Sequence, residues 1–224
     1  MPRFEKKRRN CTSNKSSANP HQFIDADLEM TSAQPALENP PSEGWDLNHI
    51  TKIRPLPGRR VHLAEIKSSK EKFVLKRLDK IQTNYPPLSS YLIEKDIHLS
   101  TSHPNVIHTF GWFETTESVY LMLEYAKKGD LFSYANSGNE LRLAEYIRDV
   151  ARGLLYLHEE GIIHRDLKAE NVVIGDNGEC KIIDFNLSAR LERRAEMLTD
   201  LSRAGTLDYL SPERMLGNPY NHCF

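Results

Sequence analysis

Cysteine is scarce in this 224-residue chain. Cys11, Cys180 and Cys223 are odd in number and far apart, which excludes both a disulfide framework and a chelating zinc pair. That usage implies a reducing, intracellular setting, cytoplasmic or nuclear. Long hydrophobic runs are missing too: no apolar stretch approaches the ~20 residues that span a bilayer, and the charged N-terminus has no apolar segment behind it to act as a signal peptide. Neither membrane insertion nor secretion is expected. Charge of one sign is not in excess either, with 30 Lys+Arg against 31 Asp+Glu and a net charge of -1. No global field therefore argues for a nucleic-acid partner. What is present, a 39% hydrophobic fraction, suffices for a buried core.

The apolar residues are unevenly spread. Residues 1–44 are Ser, Asn, Pro and charge with no sustained period, so they cannot bury enough surface to offset ordering entropy and read as a disordered arm. Lys6-Lys7-Arg8-Arg9 within it fits either a localisation cluster or plain solvated charge. A globular region is expected over residues 45–224. Ile50, Ile53, Val61, Leu63 and the run Phe73-Val74-Leu75-Lys76 read as antiparallel strands. After Pro86-Pro87, the spacing of Leu88, Tyr91, Leu92, Ile93 and Leu99 predicts a helix. Val106-Ile107, Phe110–Phe113 and Val119–Leu123 supply two further strand candidates before Gly129-Asp130. Leu143, Tyr146, Ile147, Val150, Leu154, Leu157 and His158 then recur every three or four residues, an amphipathic helix closed by Gly161.

Directly after that helix stands His164-Arg165-Asp166-Leu167-Lys168-Ala169-Glu170-Asn171, followed downstream by Asp184-Phe185 behind the apolar strand Cys180-Lys181-Ile182-Ile183. Two carboxylates, a lysine and an amide stand together in one short region. The segment resembles the catalytic loop and metal-binding motif of eukaryotic protein kinases, and the order of motifs from Trp45 to Phe224 follows that family. The resemblance implies phosphoryl transfer, a chemistry that needs an acceptor for a hydroxyl proton, cations against phosphate charge, and hard oxygens to hold those cations.

The resemblance implies an α+β, bilobal fold, with a small antiparallel lobe carrying one helix over about residues 45–126 and a mainly helical, incomplete second lobe over about 127–224. It implies ATP and magnesium as cofactors and Ser/Thr-bearing proteins as substrates. Asp166 would be the catalytic base, and Lys168, where Ser/Thr kinases place a lysine, would meet the transferring phosphate. Asn171 and Asp184 would ligate magnesium. Lys76 would grip the phosphates and pair with Glu94, a spacing supported by His103-Pro104-Asn105 downstream. Ile53 and Val61 would cover the nucleotide, with Leu123 as gatekeeper, the backbones of Glu124 and Ala126 at the adenine edge, Asp130 near the ribose, and Glu170 and Val173 completing the pocket. Gly205–Leu210 and Leu121–Ala126 are similar to the corresponding runs of Aurora kinases. Ser202 then falls at an activating phosphosite, where a phosphate would pair with Arg165; an activating partner is the alternative route. Ser211-Pro212-Glu213 stands for the usual Ala-Pro-Glu.

Three departures qualify the resemblance. The glycine-rich loop is replaced by Arg54-Pro55-Leu56-Pro57-Gly58-Arg59-Arg60-Val61, in which the two prolines have no N–H to offer a phosphate. Losing one or two charge-assisted hydrogen bonds at ~1.5–3 kcal/mol each weakens nucleotide binding roughly ten- to a thousandfold unless Arg59 or Arg60 compensates. Asn186 follows Asp184-Phe185 where glycine is usual. The chain stops at Phe224, ahead of the helices with which the family continues, so the 224 residues alone are expected to be poorly stable and weakly active. Alternatives to a Ser/Thr kinase are a pseudokinase scaffold and, on the weaker ground of fold relationship, a small-molecule kinase.

Overall fold

Alternation of side chains along a single strand organises the first half of the molecule. The computed structural model describes residues 37–42, 44–58, 60–80, 90–134, 140–191, 197–198 and 205–221. Most of the expected arm, Pro86-Pro87, Leu88, Arg59 and Ser202 lie outside them, as do Cys11 and Cys223. Strands β1 (Ile50–Pro55), β2 (Val61–Ile66), β3 (Lys72–Asp79), β4 (Thr109–Glu114) and β5 (Ser118–Leu123) form an antiparallel sheet in the order β1-β2-β3-β5-β4. Because successive residues point to opposite faces, β3 sends Phe73, Leu75 and Arg77 one way and Val74, Lys76 and Leu78 the other. His62 pairs with Leu75 and Tyr120 with Arg77 on the outer face, while Val61 and Leu121 flank Lys76 on the inner face.

The outer face buries Ile50, Ala64, Ile66, Phe73, Leu75, Phe113, Tyr120 and Met122, with Leu37 and Trp45 packed over them. The Glu38 N–H donates to the Glu71 carboxylate at 2.9 Å. Contacts with the sheet therefore extend upstream of the boundary expected between residues 44 and 45.

Helix α1 (Ser90–Ser100) crosses the inner face. Glu94, Ile97 and His98, spaced three and four apart and so on one helical face, are all buried there. One hydrophobic cluster joins this side of the sheet to the second lobe through Ile97, Val106, Leu121, Leu157, Ile162, Ile182 and Phe185. The two strands expected over residues 106–123 are β4 and β5, and Val106-Ile107 lies outside both: Val106 makes a single parallel bridge to Ile182, and the Ile107 N–H donates to the Ile182 carbonyl at 3.0 Å. Backbone groups engaged across the lobes cannot also extend the sheet. Gly153 makes the approach possible, since a Cβ there would stand 2.7 Å from the Asn105 carbonyl oxygen.

The second lobe holds α2 (Leu131–Tyr134), α3 (Glu140–Glu159) and α4 (Pro212–Met215). Two short antiparallel pairs accompany them, β6 (Ile162–Ile163) with β9 (Ala189–Arg190) and β7 (Val172–Ile174) with β8 (Cys180–Ile182). Helix α3 ends near the expected Gly161, whose φ of 71° is one that glycine adopts without a Cβ penalty. The architecture is thus α+β in two lobes, as the sequence implied. No helix among the described residues is long and apolar enough to cross a membrane.

Candidate active site

Lys76 leaves the middle of β3 on the inner face and meets two carboxylates at once. Its Nζ lies 2.5 Å from Glu94 Oε1 and 2.6 Å from Asp184 Oδ1. Burial pushes the Lys76 ammonium down, but the attraction of Glu94 and Asp184 outweighs it and the net shift is upward. Burial likewise pushes the Asp184 carboxyl up, and Lys76 more than reverses that, holding it below the usual carboxylate range. Glu94, the most enclosed of the three, is raised by burial against the pull of Lys76. Asp184 is held at φ 67°, in the left-handed region that L-residues adopt at a cost.

A second group surrounds Asp166. Asn171 Nδ2 donates to its carbonyl at 2.8 Å and to Oδ2 at 3.1 Å, and Lys168 Nζ is 3.2 Å from Oδ2. The N–H and Oγ1 of Thr206 both donate to Oδ1 at 2.8 Å, and Lys168 Nζ reaches Thr206 Oγ1 at 2.7 Å. Donors from two segments, the loop carrying Lys168 and Asn171 and the one carrying Thr206, thereby fix both carboxylate oxygens. Thr206 can come this close because Gly205 precedes it: at φ 125°, a Cβ there would stand 2.9 Å from the Arg165 carbonyl oxygen. In the sequence Gly205-Thr206 is visible only as part of the run similar to Aurora kinases, and the signal for the threonine's role is its position directly after a glycine.

Asp166, Lys168 and Asn171 are brought together, as are Lys76, Glu94 and Asp184. Val61 lies beside Lys76 on the inner face, and Ile53 is an exposed residue at the bulge of β1. The Glu124 N–H turns inward to the His108 carbonyl at 3.0 Å, and the Ala126 carbonyl accepts from Gly129 at 3.3 Å. The Glu124 side chain faces Lys181 Nζ at 3.1 Å. Asp130 bridges Val173 through its backbone, and its carboxylate accepts from the N–H and Oγ of Ser133 at the start of α2. Glu170 is exposed in the 3-10 turn Ala169–Asn171. Arg165, also at positive φ, is engaged by the Leu187 carbonyl and, at 3.2 Å, the Tyr220 hydroxyl.

A buried aromatic chain backs the site. His98 packs edge-on against Phe185 at 5.1 Å and His164 tilts against the same ring at 5.4 Å. Burial, reinforced by Lys76, drives the His98 imidazole down to about 3, so it is neutral. Nδ1 lies 3.2 Å from Thr109 Oγ1. No sequence pattern marked His98, because a histidine on a helix face carries no sign of what will cover it.

The donor set fits magnesium bound together with a phosphorylated ligand. Among the described residues no three His, Cys, Asp or Glu side chains gather as a self-sufficient metal site. Asp184 and the amide oxygen of Asn171, whose nitrogen is spent on Asp166, would supply two hard oxygens; Mg²⁺ characteristically takes few protein ligands and completes its shell with water and phosphate oxygens.

Residues 59–223 match the protein kinase domain family. Over 219 residues the chain is 36% identical to Aurora kinase A-A of Xenopus laevis, covering 94% of this chain and 52% of that protein. It is 38% identical over 177 residues to the serine/threonine-protein kinase Aurora-1 of Arabidopsis thaliana, covering 75% and 58%, and 39% identical over 157 residues to Aurora-2 of the same plant, covering 68% and 54%. The chain spans about half the length of these curated relatives.

Proposed function

The chain belongs to the protein kinase domain family and is Aurora-like within it, and from that premise we propose that it serves an ATP- and magnesium-dependent protein serine/threonine kinase. The single observation that carries this reading is the pair of assembled charge groups, Lys76 with Glu94 and Asp184, and Asp166 with Lys168, Asn171 and Thr206. Bound magnesium would neutralise charge on the β- and γ-phosphates, with Asp184 and Asn171 as its protein ligands. Lys76, oriented by Glu94, grips the α- and β-phosphates. Asp166 orients the substrate hydroxyl and accepts its proton as the oxygen bonds to the γ-phosphorus. The bond to the leaving ADP oxygen breaks, and Lys168 neutralises charge on the group in transit. The Glu124 carbonyl and Ala126 N–H serve the adenine edge, Ile53, Val61 and Val173 enclose the ring, and Asp130 and Glu170 lie toward the ribose.

A second reading, a scaffold with a degenerate nucleotide lid, is favoured by the loop between β1 and β2. Pro55 and Pro57 lack N–H groups, and the Leu56 N–H is consumed by the Val61 carbonyl at 3.0 Å. The experiment that separates the two measures Mg-ATP-dependent thermal stabilisation and transfer of labelled γ-phosphate to a protein substrate, with Asp166→Asn alongside. Transfer by the native residue that vanishes in the variant supports the kinase; stabilisation without transfer in either form overturns it in favour of the scaffold. Phosphorylation of Ser202 as an activating step belongs to the same proposal, with mass spectrometry of the active protein as its check.

A further inference from the structure

The outer face of the sheet is apolar only at one end. At the other, Lys52, Arg60, His62 and Arg77 surround a concavity of about 90 Å³ floored by Leu75 and Tyr120. Strand register brings these residues together. Lys52 of β1 pairs with Ala64, two positions from His62, which pairs with Leu75, and Arg77 pairs with Tyr120. Arg60 joins them because its carbonyl accepts the Arg77 N–H at 3.0 Å. It does so at φ 65°, a conformation that costs a side-chain-bearing residue and that tends to persist at functional positions.

Compensation is incomplete. Asp79, on the same face, contacts both Arg60 and Arg77. The Arg77 Nε is 3.1 Å from Asp79 Oδ1, yet it is buried and not aligned to hydrogen bond with it. One carboxylate, which also accepts from Ser118 Oγ at 3.1 Å, thus serves two guanidinium groups, and Lys52 stands outside that pairing. Two arginine forks and a lysine converging on a small concavity suit a dianionic tetrahedral group, for which planar guanidinium geometry is adapted. The largely apolar lining favours a group delivered on a side chain, since apolar surface rewards a peptide side chain and not a free ion.

We propose that this concavity binds the phosphoryl group of a phosphorylated peptide, separately from the inner face where Lys76 lies. The proposal is tested with the full chain and a fluorescent degenerate peptide library centred on phosphoserine, against the same library with serine and against inorganic phosphate. Anisotropy is expected to show binding of the phosphoserine library about tenfold or more tighter than of either control, weakening with added salt. The double variant Lys52→Gln, Arg77→Gln is expected to lose about ten- to a hundredfold, with Lys52→Gln alone, at an exposed position, losing less. Thermal melting of each variant monitors folding, so a fold failure of the double variant leaves Lys52→Gln to decide. Equal binding of both libraries, displacement by Mg-ATP, or affinity unchanged in a folded Lys52→Gln chain overturns the proposal. Phosphate competing as well as the phosphoserine library overturns the assignment to a peptide.

Discussion

The two faces of one sheet treat neighbouring cations in opposite ways. Lys76 points inward and is matched by two carboxylates drawn from a helix and from the other lobe. Arg77, the next residue, points outward and shares the single carboxylate of Asp79 with Arg60. Inside, solvent cannot screen a charge, so an unmatched cation would be costly and each partner is supplied. Outside, water tolerates an excess, and the excess is what a ligand can use.

The largest break in that comparison is to remove the inner cation. Lys76→Met leaves Glu94 and Asp184 facing each other without their partner, and breaking a buried pair of this kind costs about 3–5 kcal/mol. Calorimetry should show a melting temperature lower by on the order of 10 °C, and an unchanged melting temperature would mean that the cluster is not coupled as its distances indicate.

Asp166→Asn is expected to act chiefly on chemistry and less on folding. Loss of the proton acceptor should reduce phosphoryl transfer roughly 10²–10⁴-fold. Melting should fall modestly as well: the amide oxygen can still accept from Thr206, but the amide nitrogen then faces the Asn171 and Lys168 donors, and an unsatisfied buried donor costs about 1–3 kcal/mol. Substantial transfer by a folded variant would move the base to another residue.

His98 gives the inner face a pH signature. Its folded pKa, about 3, lies below the ordinary value of 6.5, so its contribution to stability is complete above pH 6.5 and is lost as pH falls toward 3. At ~1.4 kcal/mol per pH unit, the native chain should lose about 2 kcal/mol more than His98→Gln between pH 6.5 and pH 5. Urea unfolding at the two pH values measures the difference, and parallel curves would remove His98 as the cause.

The smallest effect belongs to the outer face. Asp79→Asn breaks two half-exposed ion pairs worth about 0.2–1 kcal/mol each, so chemical denaturation should barely move. The same variant should tighten binding of the phosphoserine library, because both guanidinium groups lose their competitor. Weakened binding would show that Asp79 positions the arginines rather than competing for them.

Legibility in the sequence followed how local each arrangement is. The run from His164 to Asn171 carries its chemistry within one loop, so residue types and spacing exposed Asp166, Lys168 and Asn171 together. Helix α3 was legible because its apolar period is sustained over many turns. Lys76 and Glu94 were weaker as single residues and gained meaning from the motifs around them. Val106-Ile107 falls outside the sheet although its composition suits a strand, because its backbone is engaged by Ile182 from elsewhere in the chain, with Gly153 packed against the neighbouring Asn105.

What the sequence determined by itself is the family, the α+β order of elements and the short-range constellation around Asp166, because each is written in contiguous residues or in a repeating period. It took the folded chain to bring Lys76 to Asp184, to close Thr206 over Asp166, to seal His98 beside Phe185 and to gather Lys52, Arg60, His62 and Arg77 around one hollow. Those pairings depend on strand register and on lobe contacts between residues distant in the chain, and burial and electrostatics take their values only once the chain has closed around them.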